Sequence, residues 1–375
     1  VIKISVNCRY ITGIMEKLAP ELMAEKWDNV GLQIGSPEKK VKRILVALDL
    51  VEQVALEATH IRADMVITHH PFIFDTVKTL REDRPFGRIA ALLIKNDIAL
   101  YCAHTNLDSA PGGINDLLVR LLGLRDARVL EPCEGCGYDK VVVFVPAGHE
   151  DKVAMAMAEA GAGWIGSYSH CTFRAKGIGT FKPGDGTTPF IGETGKLERA
   201  DEYRIESIVP SELTRQVVQA LLDAHPYEEV AYDIYRLGNK RGDYGLGRIG
   251  LLPDAVTLKE FAEKVKRVLH LKQVRCTGAP EEMVQRVALC GGSGGSLMEA
   301  AAAGGADVLL TGDIKYHDAH KSIGIGMALV DAGHYGTEKI AVDIIKDHIE
   351  KQAGEAAAGV EVIKSRIDID PFTIV

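Results

Sequence analysis

His69 and His70 stand side by side, directly after the apolar run Met65-Val66-Ile67-Thr68 and before Pro71. The run reads as a buried strand, which puts the pair at a strand's C-terminal end. That edge is where open α/β sheets bind ligands. Three similar clusters follow: His104 with Asp108, Asp313 with His317, and His334 with Glu338. Imidazoles and carboxylates without thiolates are a donor set for borderline divalent ions. On a regular strand His69 and His70 would point to opposite faces. Pro71 lacks an N–H and ends the ladder, so the backbone can turn there and aim both rings at one place. His104 and Asp108 are four apart, as are His334 and Glu338. If each pair opens a helix its members share a face, and otherwise each pair spans one loop. Either arrangement presents a nitrogen and an oxygen to one ion. Five or six such donors exceed the four of a closed structural zinc site, so two ions with open positions are the better count.

The surrounding elements have to position these residues, and they repeat. Arg43–Leu48 resembles Arg286–Cys290, Ala63–Thr68 resembles Ala306–Thr311, and Ile98–His104 resembles Met327–His334. Each half reads strand, helix, strand, helix, strand, the pattern of a parallel sheet covered by helices. The donors fall after the second and third strands of each half. The expected fold is therefore α/β: two related βαβ-type halves facing each other around a dinuclear metal site. Between them lies a segment of other character. Lys140–Pro146, Tyr203–Val209 and Val230–Tyr235 read as strands, and His149–Ala160 and Ser211–Ala224 as helices, the latter capped at Ser211. This order predicts an inserted ferredoxin-like α+β domain. The expected boundaries are residues 1–127, 128–245 and 246–375.

Other motifs carry less. Asp313, Lys315, His317, Asp318 and His320 form a polar run at a sheet edge, suited to supporting the donors or binding substrate. Gly291-Gly292-Ser293-Gly294-Gly295-Ser296 lacks dinucleotide-binding spacing, although free N–H groups there could hold an anion. Gly192-Glu193-Thr194-Gly195-Lys196 fails as a P-loop, with Phe190 at the first glycine position and Leu197 after the lysine. Asp28 is either a support for the donors or a turn cap. His225-Pro226-Tyr227-Glu228-Glu229 reads as a turn leading a strand before it reads as a metal site. Cys133 and Cys136 form one C-x-x-C without a second pair, which favours a turn between domains over a metal or redox role.

At 375 residues, with 46% hydrophobic and 26% charged residues, the chain suits a multi-domain globular protein. A net charge of −8 argues against a broad nucleic-acid surface. It leaves open a small anionic substrate, because bound metal supplies local positive charge. Seven cysteines are few and odd in number, which fits a reducing compartment. No signal-peptide pattern or membrane-length apolar run is present, so a cytoplasmic location is expected.

Together these motifs resemble the Nif-three-like family, also called GTP cyclohydrolase I type 2 homologues. The match is carried by Trp27–Leu32, Thr68–Pro71, His104–Asp108, Thr311–Ala319 and Gly333–Glu338. The middle segment resembles the PII/CutA-like insert of long bacterial members, through Gly166–Phe173 and His225–Asp233. The resemblance implies two divalent ions per subunit (zinc, iron, manganese or similar), held by His69, His70, Asp108, His334 and Glu338 with His104 close by. It also implies a toroidal homohexamer. The expected function is metal-dependent hydrolysis of a nucleotide-like or phosphorylated small molecule, with His104 or His317 moving the proton. The alternative is a non-catalytic regulatory or chaperone-like hexamer that binds a ligand or partner through its insert.

Overall fold

In the first half the chain runs α1 (Cys8–Leu18), β1 (Gly31–Ile34), β2 (Arg43–Ala47), α2 (Glu52–His60), β3 (Met65–Thr68), α3 (Pro85–Lys95), β4 (Ala99–Cys102), α4 (Thr105–Ser109), α5 (Ile114–Leu122) and β5 (Arg125–Pro132). The structure is a computed structural model that describes residues 6–133, 137–353 and 359–374, so Cys136 of the C-x-x-C lies outside the described residues. A middle segment follows: β6 (Gly137–Pro146), α6 (Glu150–Glu159), β7 (Phe173–Phe181), β8 (Glu198–Pro210), α7 (Thr214–Ala224) and β9 (Tyr232–Lys240). The second half runs β10 (Gly245–Thr257), α8 (Leu258–Val268), β11 (Arg275–Thr277), β12 (Met283–Leu289), α9 (Met298–Ala303), β13 (Val308–Thr311), α10 (Tyr316–Gly324), β14 (Ala328–Asp331), α11 (His334–Glu338), α12 (Ala341–Ala353) and β15 (Glu361–Lys364). The fold is mixed α/β. It divides into two compact units, Val1–Gly135 with Gly242–Val375, and Cys136–Arg241.

The larger unit holds two sheets, ordered β1-β4-β3-β2-β15 and β11-β14-β13-β12-β10-β5. Strands β2, β3 and β4 are parallel, as are β12, β13 and β14. Every residue of β3, β4, β13 and β14 is buried, which is why these four-residue strands read as unbroken apolar runs. The repeat goes further than the sequence pattern indicated. In each half an antiparallel edge strand, β1 or β11, flanks the third parallel strand. Each half then continues through a five-residue helix, α4 or α11, into a longer helix and a last strand. Those last strands change sides. β15 pairs with β2 of the first half, and β5 pairs with β10 of the second. Ile363, Ile367 and Ile369 accordingly pack on the first half's core of Leu45, Val66, Leu93 and Leu100. Exchange of terminal strands ties the halves into one unit and holds their C-terminal sheet edges together.

The smaller unit has the order β6-α6-β7-β8-α7-β9 and one antiparallel sheet, β7-β8-β6-β9. Its own core joins Val141, Val143, Val145 and Ile205 to Val153, Met157, Val217 and Leu221 from the two helices. The expected Ser211 cap does not form. A 3-10 turn at Ser211–Leu213 precedes α7, and Leu213 is its N-cap. The Ser211 hydroxyl instead accepts from Arg236, and Thr214 donates to the buried Asp139 at 2.7 Å. His225 is a satisfied turn residue, as its favoured reading had it. Its Nε2 donates to the Phe144 carbonyl at 3.0 Å and its Nδ1 accepts from Tyr227 N–H at 3.1 Å.

The sequence boundaries at 127/128 and 245/246 fall inside β5 and at the first residue of β10. Cys133 N–H donates to Tyr244 C=O at 3.1 Å, so the chain leaves and re-enters the larger unit at neighbouring points. Replacing residues 136–241 by a short glycine linker should therefore leave a soluble protein that still binds metal, since a unit with its own core folds independently. Elemental analysis of the purified deletion protein checks this. An insoluble or metal-free product overturns it.

Candidate metal centre

Four imidazoles and two carboxylates converge where the sheet edges of the two halves meet. His69 and His70 follow β3, where both backbone N–H groups donate to the Leu48 carbonyl at 3.2 and 3.0 Å. This shared acceptor is the turn that brings adjacent side chains to one place. His104 is the N-cap of α4 and Asp108 lies one turn on. His334 opens α11 with Glu338 one turn on, so that i,i+4 pair shares a helical face. Gly333, at φ +75°, makes the turn from β14 into α11, a backbone state that suits glycine. Asp313 adopts φ +57°, strained for a residue with a Cβ.

Each ring is held from behind. Nδ1 of His69 donates to the Ala103 carbonyl at 2.8 Å, of His70 to Asp49 at 2.8 Å, of His104 to Asp28 at 2.9 Å and of His334 to Asp313 at 2.7 Å. Carbonyls and carboxylates only accept, so each Nδ1 carries the proton and each Nε2 is left for the centre. Outer partners of this kind are how metal-binding imidazoles are oriented. Asp28, whose side chain is fully buried, also accepts from the Thr105 N–H at 3.1 Å and from its hydroxyl. Asp28 thus stands behind His104, and its Oδ1 also accepts from the Asn29 N–H at 2.8 Å within its own turn, so the two readings coexist.

At the centre, Glu338 Oε2 lies 2.8 Å from Nε2 of both His70 and His334, and those two nitrogens are 3.1 Å apart. Donors about 2.0–2.1 Å from one divalent ion sit about 2.9–3.4 Å from each other at right to tetrahedral angles. Glu338 Oε1 and Asp108 Oδ1 lie 3.7 and 3.8 Å from His69 Nε2. The sets His69/Asp108/Glu338, His70/His334/Glu338 and His69/His70/His104 each bring their donor atoms within 4.8 Å of one another. Gly292 presses against this group: a Cβ there would come 2.0 Å from Glu338 Oε1, and its φ is +61°. Glycine at that position lets the backbone pass behind the carboxylate.

His69 Nε2 and Asp108 Oδ1 are buried without any hydrogen-bond partner. Burial lowers the His69 pKa and keeps the ring neutral, so a bare lone pair faces two carboxylate oxygens. Such an arrangement is unfavourable unless a cation lies among them. The residues therefore fit a metal. Burial and the Glu338 charge push the Asp108 carboxyl well up. Burial opposes ionisation of Glu338 too, but its hydrogen bonds from His334 and His70 hold it well below the usual range.

His317 does not join the cluster. It is exposed on α10 with its ring edge-on to Tyr316 at 5.4 Å, and among the described residues it has no hydrogen bond or ion pair to a donor. Sequence reading passed over Asp49, which follows β2 as Asp313 follows β13. Its position at a third strand end was the available signal.

The Duf34/NIF3 (NGG1p interacting factor 3) family model matches residues 6–371. The chain belongs to this family. It is 43% identical over 369 residues to a "GTP cyclohydrolase 1 type 2 homolog" of Bacillus subtilis (strain 168), covering 98% of this chain and 99% of that one. It matches the protein of the same name from Halalkalibacterium halodurans at the same identity and coverage. Among solved structures, a Bacillus cereus protein related to NIF3 superposes with a TM-score of 0.84 at 43% identity, over 99% of this chain and 100% of that one. Staphylococcus aureus protein SA1388 superposes at 0.77 and 29% identity, over 99% of each chain. This Duf34/NIF3 member thus aligns with these relatives along nearly its whole length.

Proposed function

We propose that this family member binds two divalent ions and hydrolyses a nucleotide-like or phosphorylated small molecule. The observation that carries the reading is the bare, buried His69 Nε2 facing the Asp108 and Glu338 carboxylates. His69, His70, Asp108, His334 and Glu338 would hold the ions, with Glu338 common to both. Divalent ions there would supply Lewis acidity and activate water for attack. Of the two histidines expected to move a proton, His104 adjoins the donors: its ring centroid is 5.2 Å from that of His69. With Nδ1 fixed on Asp28, it can hold or pass a proton only at Nε2. The strand order of the smaller unit supports a ferredoxin-like, PII/CutA-like insert. Homohexamer assembly and a cytoplasmic location belong to the same reading. Among the described residues no helix is long and apolar enough to cross a membrane.

The alternative is a non-catalytic hexamer that binds a partner or ligand through the insert. The exposed Trp164, Ile165, Tyr168 and Phe173 of the smaller unit favour it. A panel of nucleotides and phosphate esters, assayed with zinc-, manganese- and iron-loaded protein, separates the two. Turnover that disappears in Asp108→Asn is expected. No turnover with any metal and substrate favours the alternative.

A further inference from the structure

Trp27 is 58% exposed and Phe74 is 48% exposed, yet neither ring is loose. Their centroids lie 5.8 Å apart, and the Trp27 indole stands edge-on to the His104 ring at 6.0 Å. The loops that carry them are stapled together. Asn29 Nδ2 donates to the Ile73 carbonyl at 2.5 Å, and Gln33 Nε2 donates to the same carbonyl at 3.2 Å and to Asn29 C=O at 2.7 Å. Gln33 Oε1 accepts from the N–H groups of Phe72 and Ile73 at 3.1 and 3.0 Å. On the other side Asp28, next to Trp27, is locked to His104 and Thr105. Two large apolar rings thus stand in solvent beside the donor cluster, on loops joined to each other by hydrogen bonds. The core gains little from that exposure. Fixed aromatic faces of this kind suit stacking, which asks only for a flat π-system and costs few rotamers when the ring is already held.

We propose that Trp27 and Phe74 form a stacking wall at the mouth of the centre, and that its substrate carries a planar heteroaromatic ring of nucleobase type. This rests on the metal-dependent reading and narrows it. A sugar phosphate or simple phosphate ester would satisfy the metal reading and leave the wall unused. Hydrogen bonds to the ring edge are not needed, so the wall discriminates ring from no ring rather than one base from another.

The chain has two tryptophans, Trp27 and Trp164, so Trp164→Phe leaves Trp27 as the sole indole reporter. Metal-loaded Trp164→Phe protein is titrated with guanosine monophosphate, adenosine monophosphate and ribose 5-phosphate while indole fluorescence is followed. Metal content is measured on every sample. Both nucleotides should quench saturably and ribose 5-phosphate should not. By calorimetry, Trp27→Ala in the otherwise unaltered chain should weaken nucleotide binding roughly 5- to 150-fold, the range of one lost base stack. Trp27→Phe should recover most of that loss. Metal content should not change in either variant. Equal binding of ribose 5-phosphate and nucleotide, or no binding of either, overturns the proposal, as does unaltered nucleotide affinity in Trp27→Ala. Protein that takes up no metal under loading conditions sinks the underlying metal reading instead, and the metal measurement separates that failure from the others.

Discussion

Glu338→Ala should abolish binding of both proposed ions together, and Glu338→Gln should do nearly the same without changing side-chain volume. Its Oε2 meets His70 and His334, and its Oε1 faces His69 across from Asp108. It is the carboxylate common to two of the three donor sets. Two divalent cations a few ångströms apart repel each other strongly in a site this dry, and a shared carboxylate is what offsets that repulsion. Removing it should weaken both ions at once, beyond the roughly 10- to 100-fold typical of losing an outer hydrogen-bond partner. Asp49→Asn, which alters only the group behind His70, supplies that milder comparison. Metal stoichiometry by elemental analysis checks the prediction, with thermal melts alongside. Ligand binding to the folded state stabilises by about 2.7 kcal/mol at a hundredfold excess over Kd, so added metal should raise the wild-type Tm and leave that of Glu338→Ala in place. A Glu338→Ala protein that keeps its full metal complement would remove Glu338 from the donor set.

How much of this was legible from residues depended on whether the signal was local. His69, His70, His104, Asp108, His334 and Glu338 sit at ends of short apolar strands, and strand ends are readable from periodicity and Pro71. The repeat of Ala-Asp-strand-Thr units marked the two halves for the same reason. The exchange of β5 and β15 was not readable, because strand pairing is a long-range choice that an eight-residue or four-residue run does not encode. That is also why boundaries drawn at composition changes cut through β5. Ser211 failed as a cap because Arg236, on a strand distant in sequence, takes its hydroxyl. His317 was drawn towards the site by its neighbours in sequence, whereas α10 carries it outward. Asp28 could be read as a support or a turn cap from its loop, whereas Asp49 is recognisable as a support only once His70 is seen to lean on it.

Metal affinity should depend on pH further above neutrality than free histidine chemistry would give. A reference imidazole titrates at about 6.5, which alone would confine proton competition to the acid side. In the metal-free centre, burial works against protonating His70, but its hydrogen bonds to Asp49 and Glu338 override it and raise its pKa to about 10. The Glu338 hydrogen bond, aided by Asp313 and opposed by burial, raises His334 to about 9. His69 moves the other way through burial and is already neutral at pH 7. At pH 7, then, a metal must displace a proton from each of two Nε2 atoms. Loading should release about two protons per chain, and apparent affinity should keep rising from pH 6 to pH 9. The sign for the metal-free fold is opposite. A pKa raised on folding contributes stability that is complete below about 6.5 and is lost as pH climbs through 9 and 10. Metal-free protein should therefore lose Tm between pH 7 and pH 10, while the stabilisation that metal adds grows over the same interval. Proton release can be read by calorimetry in buffers of different ionisation enthalpy, and the two Tm profiles by parallel melts. A metal affinity that stays flat from pH 6 to pH 9 with no proton release would mean that His70 and His334 are not donors. Retention down to the carboxylate range near pH 4 would then point to Asp108 and Glu338 alone.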